Sequence, residues 1–171
     1  MPESKAPSKR TTRTARRRLA LVAAVVICAI STAGCGSSQE RLSAKALAAK
    51  GDAICERLKE ALNVADEEAG QGGTVPARAK LSVLYAAAEE HGSNELAALT
   101  PEGISAEREW RQIVAKRRAL IPYHHRLTKY ALRDEVGKLE ATYAAYKAAQ
   151  WQMQLGFKHS RFGFKICWDI G

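Results

Sequence analysis

The chain carries no catalytic signature. No Ser stands in a nucleophile-elbow pattern, and there is no glycine-rich phosphate loop. A di-iron bundle needs Glu-x-x-His on two helices. The residues three before His91, His124, His125 and His159 are Ala88, Ile121, Pro122 and Gly156, so that motif is missing. Cysteines number four, with no C-x-x-C pair and no His at ligand spacing beside them, which argues against a zinc site. No stretch alternates as a strand would. The longest apolar run, Leu19 to Ile30, has twelve residues. As a helix it would span roughly 18 Å, short of a hydrocarbon core about 30 Å thick, which makes a permanent transmembrane anchor the weaker reading.

What is present begins with that run. Lys5, Lys9, Arg10, Arg13, Arg16, Arg17 and Arg18 precede it, against the single acid Glu3. A segment so charged stays on the cytoplasmic side of a membrane. A positive segment, a short apolar segment and then small residues make a secretory signal. Thr32-Ala33-Gly34-Cys35 resembles the lipobox of bacterial lipoproteins. The resemblance implies that the Cys35 thiol receives a diacylglycerol and that residues 1–34 are removed. It places the mature protein on the extracytoplasmic face of the bacterial cell membrane. Thr32 stands where an aliphatic residue is usual. Ordinary cleavage after Ser31-Thr32-Ala33 is the alternative. Arg16-Arg17 with Leu19 fits part of a twin-arginine signal, while Ala15 and Ala20 do not, so the export route stays open.

The leader distorts the composition. It holds seven of the 27 Lys and Arg and one of the 18 Asp and Glu, leaving 20 against 17. The net charge then falls from +9 to about +3. A nucleic-acid partner therefore loses its electrostatic support. Residues 35–171 suffice for one domain with a real core. Residues 35–38 form a short tether, and residues 39–171 the domain.

Cys28 leaves with the leader, so Cys35, Cys55 and Cys167 remain. An odd count outside the cytoplasm asks for an explanation. Lipidation of Cys35 leaves Cys55 and Cys167 as an even pair, and their bridge would tie the first helix to the tail. Pairing of Cys35 with either requires that it not be lipidated. A loop of that size is worth about 4.7 kcal/mol in chain-entropy terms.

Periodicity predicts helices throughout. Leu47, Ile54, Leu58, Leu62 and Ala65 form one stripe between Gln39 and Ala69, with Gly51-Asp52 either a break capped by Asp52 or a tolerated glycine. Gly70 to Pro76 is a loop. Helix two runs from Pro76 to about His91 through Ala77, Leu81, Leu84, Tyr85 and Ala88. Gly92-Ser93-Asn94 interrupts it, and Glu95 to Leu99 adds a turn or two. Thr100 caps helix three with Pro101 at its first position. Trp110, Ile113, Val114, Arg117 and Leu120 follow. Pro122 kinks or ends that helix, and residues 123–132 continue. Helix four, from about Arg133 to Leu155, carries Val136, Leu139, Tyr143, Tyr146, Ala149 and Met153. Asp134-Glu135 suits its dipole, and Gly156 terminates it. The predicted fold is an all-α, up-and-down bundle of about four helices with a disulfide-tied C-terminal tail.

In the tail, Phe157, Phe162, Phe164 and Trp168 interleave with Lys158, His159, Arg161 and Lys165. Lys158, Arg161, Phe162 and Lys165 are candidates for a surface contact with an anionic partner. The favoured alternative is that the aromatics close one end of the bundle. The layout is similar to small lipoproteins of high-GC Gram-positive, actinobacterial-type bacteria. The matching features are the lipobox, Asp52-Ala53-Ile54-Cys55, Leu96 to Pro101, and Leu155-Gly156-Phe157 before a final cysteine. The resemblance supplies no activity.

Two functions fit. One is a membrane-tethered, non-enzymatic helical module that binds an envelope protein, glycan or lipid. The other is an envelope enzyme or metal-dependent protein using His124, His125, His159 and nearby carboxylates. Adjacent helical residues point about 100° apart, so His124 and His125 do not easily grip one ion. Glu67-Glu68, Glu89-Glu90, Glu107 and Glu109 read as surface charge. Neither a cofactor nor a catalytic residue is implied.

Overall fold

The computed structural model describes residues 40–70 and 74–170. The leader, the lipobox-like segment and Cys35 lie outside the described residues. Five helices follow one another: α1 Ala44–Ala69, α2 Val75–Ala97, α3 Ile104–Arg118, α4 Ile121–Leu132 and α5 Val136–Lys158. They form four legs. Trp110 donates to carbonyls near the end of α2, Arg117 meets Glu89 midway, and His124 meets Tyr85 nearer its start. α3 and α4 thus descend α2 as one antiparallel leg, broken only at Ala119-Leu120. Pro122 causes the break: it lacks an N–H, and its ring would clash with the carbonyl of Arg118. The bundle is all-α, with α2 packed on α1, α3 and α4, and α5 on α3 and α4.

The predicted α1 stripe is buried along its whole length. Ser43 caps α1, its hydroxyl accepting from the Ala46 amide at 3.3 Å. Gly51 does not break the helix. A Cβ there would lie 2.6 Å from Cε1 of Phe164, so the glycine admits the ring. Gly92 behaves similarly. α2 runs straight through it to Ala97, and a Cβ at 92 would meet Leu58 Cδ2 at 2.7 Å. Both glycines mark close approach rather than interruption.

Three boundaries move. Thr100-Pro101 is not a helix start but strand β2, paired in parallel with β1, Arg41–Leu42. The Glu102 amide continues the ladder to the Leu42 carbonyl at 2.9 Å. Gly103, at φ 86°, then turns the chain into α3. At the other end, Gly156 does not terminate α5, which continues to Lys158, and the helix begins after Glu135 rather than at Arg133. The preceding turn holds Asp134 at φ 53°.

One end of the bundle is sealed by the tail. Trp110 stacks on Phe164 with centroids 5.5 Å apart, and Phe157 and Phe162 meet it edge-on. The Trp110 Nε1–H donates to the Leu96 and Leu99 carbonyls, satisfying the exit of α2. Asp52 does not cap a helix of its own chain segment. Its carboxylate accepts the amides of Lys165, Ile166 and Cys167 at 2.9, 2.9 and 3.2 Å, capping the final turn of the tail. Cys55 and Cys167 are bonded, both fully buried.

Candidate functional site

At the other end no tail covers the helices among the described residues. An apolar cleft of about 340 Å³ opens between the first half of α2, α4 and the first half of α5. Leu81 and Tyr85 line it from α2, His124 and Leu127 from α4, and Leu139, Tyr143 and Tyr146 from α5. Arg78, Ser82 and Glu140 bring polar atoms to the lining. The volume lies at the lower end of the range of about 300–1,000 Å³ seen for small-molecule sites.

His124 is the distinctive group. It is 2% exposed, and its Nε2 has no hydrogen-bond partner. Its ring sits edge-on between Tyr146, at 4.8 Å, and Tyr85, at 5.5 Å. Burial lowers its pKa to about 4, and the neighbouring His125 pushes the same way. At neutral pH it is an uncharged hydrogen-bonding group within an apolar wall. Tyr85 is held in turn by Asp66, to which its hydroxyl donates at 2.9 Å. Burial and that carboxylate raise the Tyr85 pKa. Burial and nearby Glu89 do the same for Tyr146.

Deeper in the bundle lies a buried ion pair. Arg117 Nε and Nη2 reach the two Glu89 oxygens at 3.0 and 3.1 Å, and Arg117 Nη1 reaches Met153 Sδ at 3.6 Å. Burial raises the Glu89 pKa, while the guanidinium pulls it back. Glu89 is therefore not the surface charge its neighbour Glu90 is. Glu107 and Glu109 are ion-paired, with Arg111 and Arg161 respectively.

The predicted site residues are placed as follows. Cys55 and Cys167 form the disulfide, with Cα atoms 5.1 Å apart. His124 lines the cleft, His125 is exposed, and His159 is exposed beyond the end of α5, beside a separate small cavity with Glu109 and Lys116. The structure does not bring the three histidines together. Among the described residues no three His, Cys, Asp or Glu side chains gather as a metal-holding group. In the tail, Lys158 lies 5.4 Å from the Trp168 ring, Arg161 is bound by Glu109 and Ser105, and Lys165 is exposed. Phe162 is not a surface contact: it is 5% exposed, packed on Trp110 and Phe164.

The cleft was missed in the sequence because its walls read as core. One signal was there. The predicted α5 stripe is longer than the interior it meets, and Val136 and Tyr143 are 52% and 54% exposed. No helix among the described residues is long and apolar enough to cross a membrane. No known protein family, curated protein or solved structure matches the chain.

Proposed function

We propose that this protein is a lipid-anchored, extracytoplasmic binding module without enzymatic activity, and that it takes a small apolar ligand in the α2–α4–α5 cleft. The address rests on the leader and the lipobox-like Thr32-Ala33-Gly34-Cys35. The binding role rests on one observation: a preformed apolar cleft that contains an unpartnered, buried, neutral imidazole. A few polar groups placed in an apolar cleft orient a ligand and confer selectivity. The enzymatic alternative would need His124, His125 and His159 to converge, and they do not.

Both halves have direct tests. Protein from the native host should carry a diacylglyceryl group on Cys35, and Cys35→Ala should move it to the soluble fraction. An unmodified Cys35 rejects the anchor. For the cleft, residues 37–171 are titrated with anilinonaphthalene sulfonate. Saturable binding at one site is expected, weakened at least tenfold by Leu139→Arg with the fold intact. Equal binding by wild type and variant rejects the cleft.

A further inference from the structure

α3 presents two faces. Trp110, Ile113, Val114 and Arg117 are buried, while Ile104, Arg108, Arg111, Ala115 and Arg118 recur at steps of four, three, four and three along the exposed side. Arg41 of β1 joins them. Arg41, Arg111 and Arg118 line a shallow concavity of about 690 Å³. It adjoins a second of about 470 Å³, lined by Ile104, Arg108 and Arg111. Arg111 is paired with Glu107, and Arg118 donates to the Asn94 side-chain oxygen. Arg41 and Arg108 pair with no carboxylate among the described residues. Four guanidinium groups thus face one acid, Glu107. Amid them stands Ile104, 78% exposed, the most exposed large apolar residue described.

We propose that this face lies on the bilayer, its arginines on anionic phospholipid headgroups and Ile104 at the acyl boundary. Clustered arginines beside an exposed aliphatic side chain suit attraction to an anionic lipid surface. Each basic residue near an anionic surface adds to the attraction. Chain length agrees. Arg41 follows Cys35 by six residues, a reach of at most about 21 Å when fully extended. This last point rests on the lipid anchor of the proposed function, whereas the charge and exposure of the face do not. The apolar cleft, near the C-terminal end of α1, then lies away from the bilayer and stays open to ligand.

Residues 37–171 form one compact unit that contains the whole core and both bridging cysteines, so they are tested without the basic leader. Co-sedimentation is measured with vesicles of 30% phosphatidylglycerol in phosphatidylcholine and with phosphatidylcholine alone. Binding is expected to the anionic vesicles only, and 0.5 M NaCl should release it. Arg108→Glu/Arg118→Glu should weaken it roughly tenfold or more. Ile104→Ser should weaken it at low salt as well. Lys129→Glu/Lys147→Glu, which makes the same charge change elsewhere, should leave it unaltered. Equal binding to both vesicle types, equal loss in the Lys129/Lys147 variant, or tighter binding to duplex DNA than to anionic vesicles would overturn the proposal. Because this segment carries no lipid, failure here is separable from failure of the anchor, which mass spectrometry of Cys35 reads independently.

Discussion

Arg117 and Glu89 meet side-on inside the bundle, both oxygens of one within about 3 Å of two nitrogens of the other, and both side chains almost wholly out of water. Arg117 lies on the buried face of α3 at the position its spacing from Trp110 and Ile113 dictates. Only a carboxylate on α2 makes that burial tolerable.

Removing one partner should therefore cost far more than removing both. Glu89→Leu is expected to destabilise the fold by about 3–5 kcal/mol, because it strands the guanidinium. The double variant Glu89→Leu/Arg117→Met should recover most of that loss. Urea unfolding of the three variants checks this. A single variant within about 1 kcal/mol of wild type would show that the pair is not desolvated.

Asp52 holds three consecutive tail amides, so its carboxylate acts as a clamp beside the disulfide. Asp52→Ala should cost about 2–3 kcal/mol, with hydrogen-bonded charge lost from three donors. Amide exchange at residues 165–167 should accelerate more than in the core. Cys55→Ser and Cys167→Ser should lower the melting temperature equally, and the double variant should add nothing. Unequal or additive losses would count against the bridge acting as one unit.

The glycines give a contrast in sign. Gly51→Ala and Gly92→Ala should each destabilise, by about 1–3 kcal/mol, since Phe164 and Leu58 occupy the space the methyl would take. Gly137 is in the first turn of α5 with nothing within 4 Å of its missing Cβ. Gly137→Ala should stabilise by up to about 1 kcal/mol through helix propensity. Thermal melts of the three variants read the signs, and a stabilising Gly51→Ala would refute the close approach of the Phe164 ring.

These positions show what a sequence discloses. The α1 stripe was plain because five apolar residues at helical spacing line one buried face. Arg117 could be placed on the inner face of α3 by spacing alone, but Glu89 could not be told from Glu90, since their difference is made by α3. Gly51 and Gly92 were ambiguous because a helical glycine reads alike whether it breaks a helix or admits a neighbour. Thr100-Pro101 reads locally as a capped helix start, and its pairing with Arg41–Leu42 depends on contacts nearly sixty residues away. The cleft was illegible for a related reason. A wall and a core use the same residues, and only what packs over them distinguishes the two.

His124 makes the cleft sensitive to acid. Its pKa is about 4 in the folded chain against 6.5 when unfolded, chiefly through burial. Above pH 6.5 the imidazole is neutral in both states, and the fold keeps its full stability. As pH falls from 6.5 towards 4, the unfolded chain takes up the proton first, and stability drops. The full shift corresponds to about 3 kcal/mol. His124→Phe should flatten this part of the profile while leaving the carboxylate-driven loss at lower pH. Urea midpoints at pH 7 and pH 4 for both proteins provide the comparison. Anilinonaphthalene sulfonate should stay in the wild-type cleft down to about pH 4, because the folded imidazole remains neutral until then. Parallel profiles for wild type and variant would mean that His124 is hydrated in solution, and that the cleft is not the closed apolar surface its walls describe.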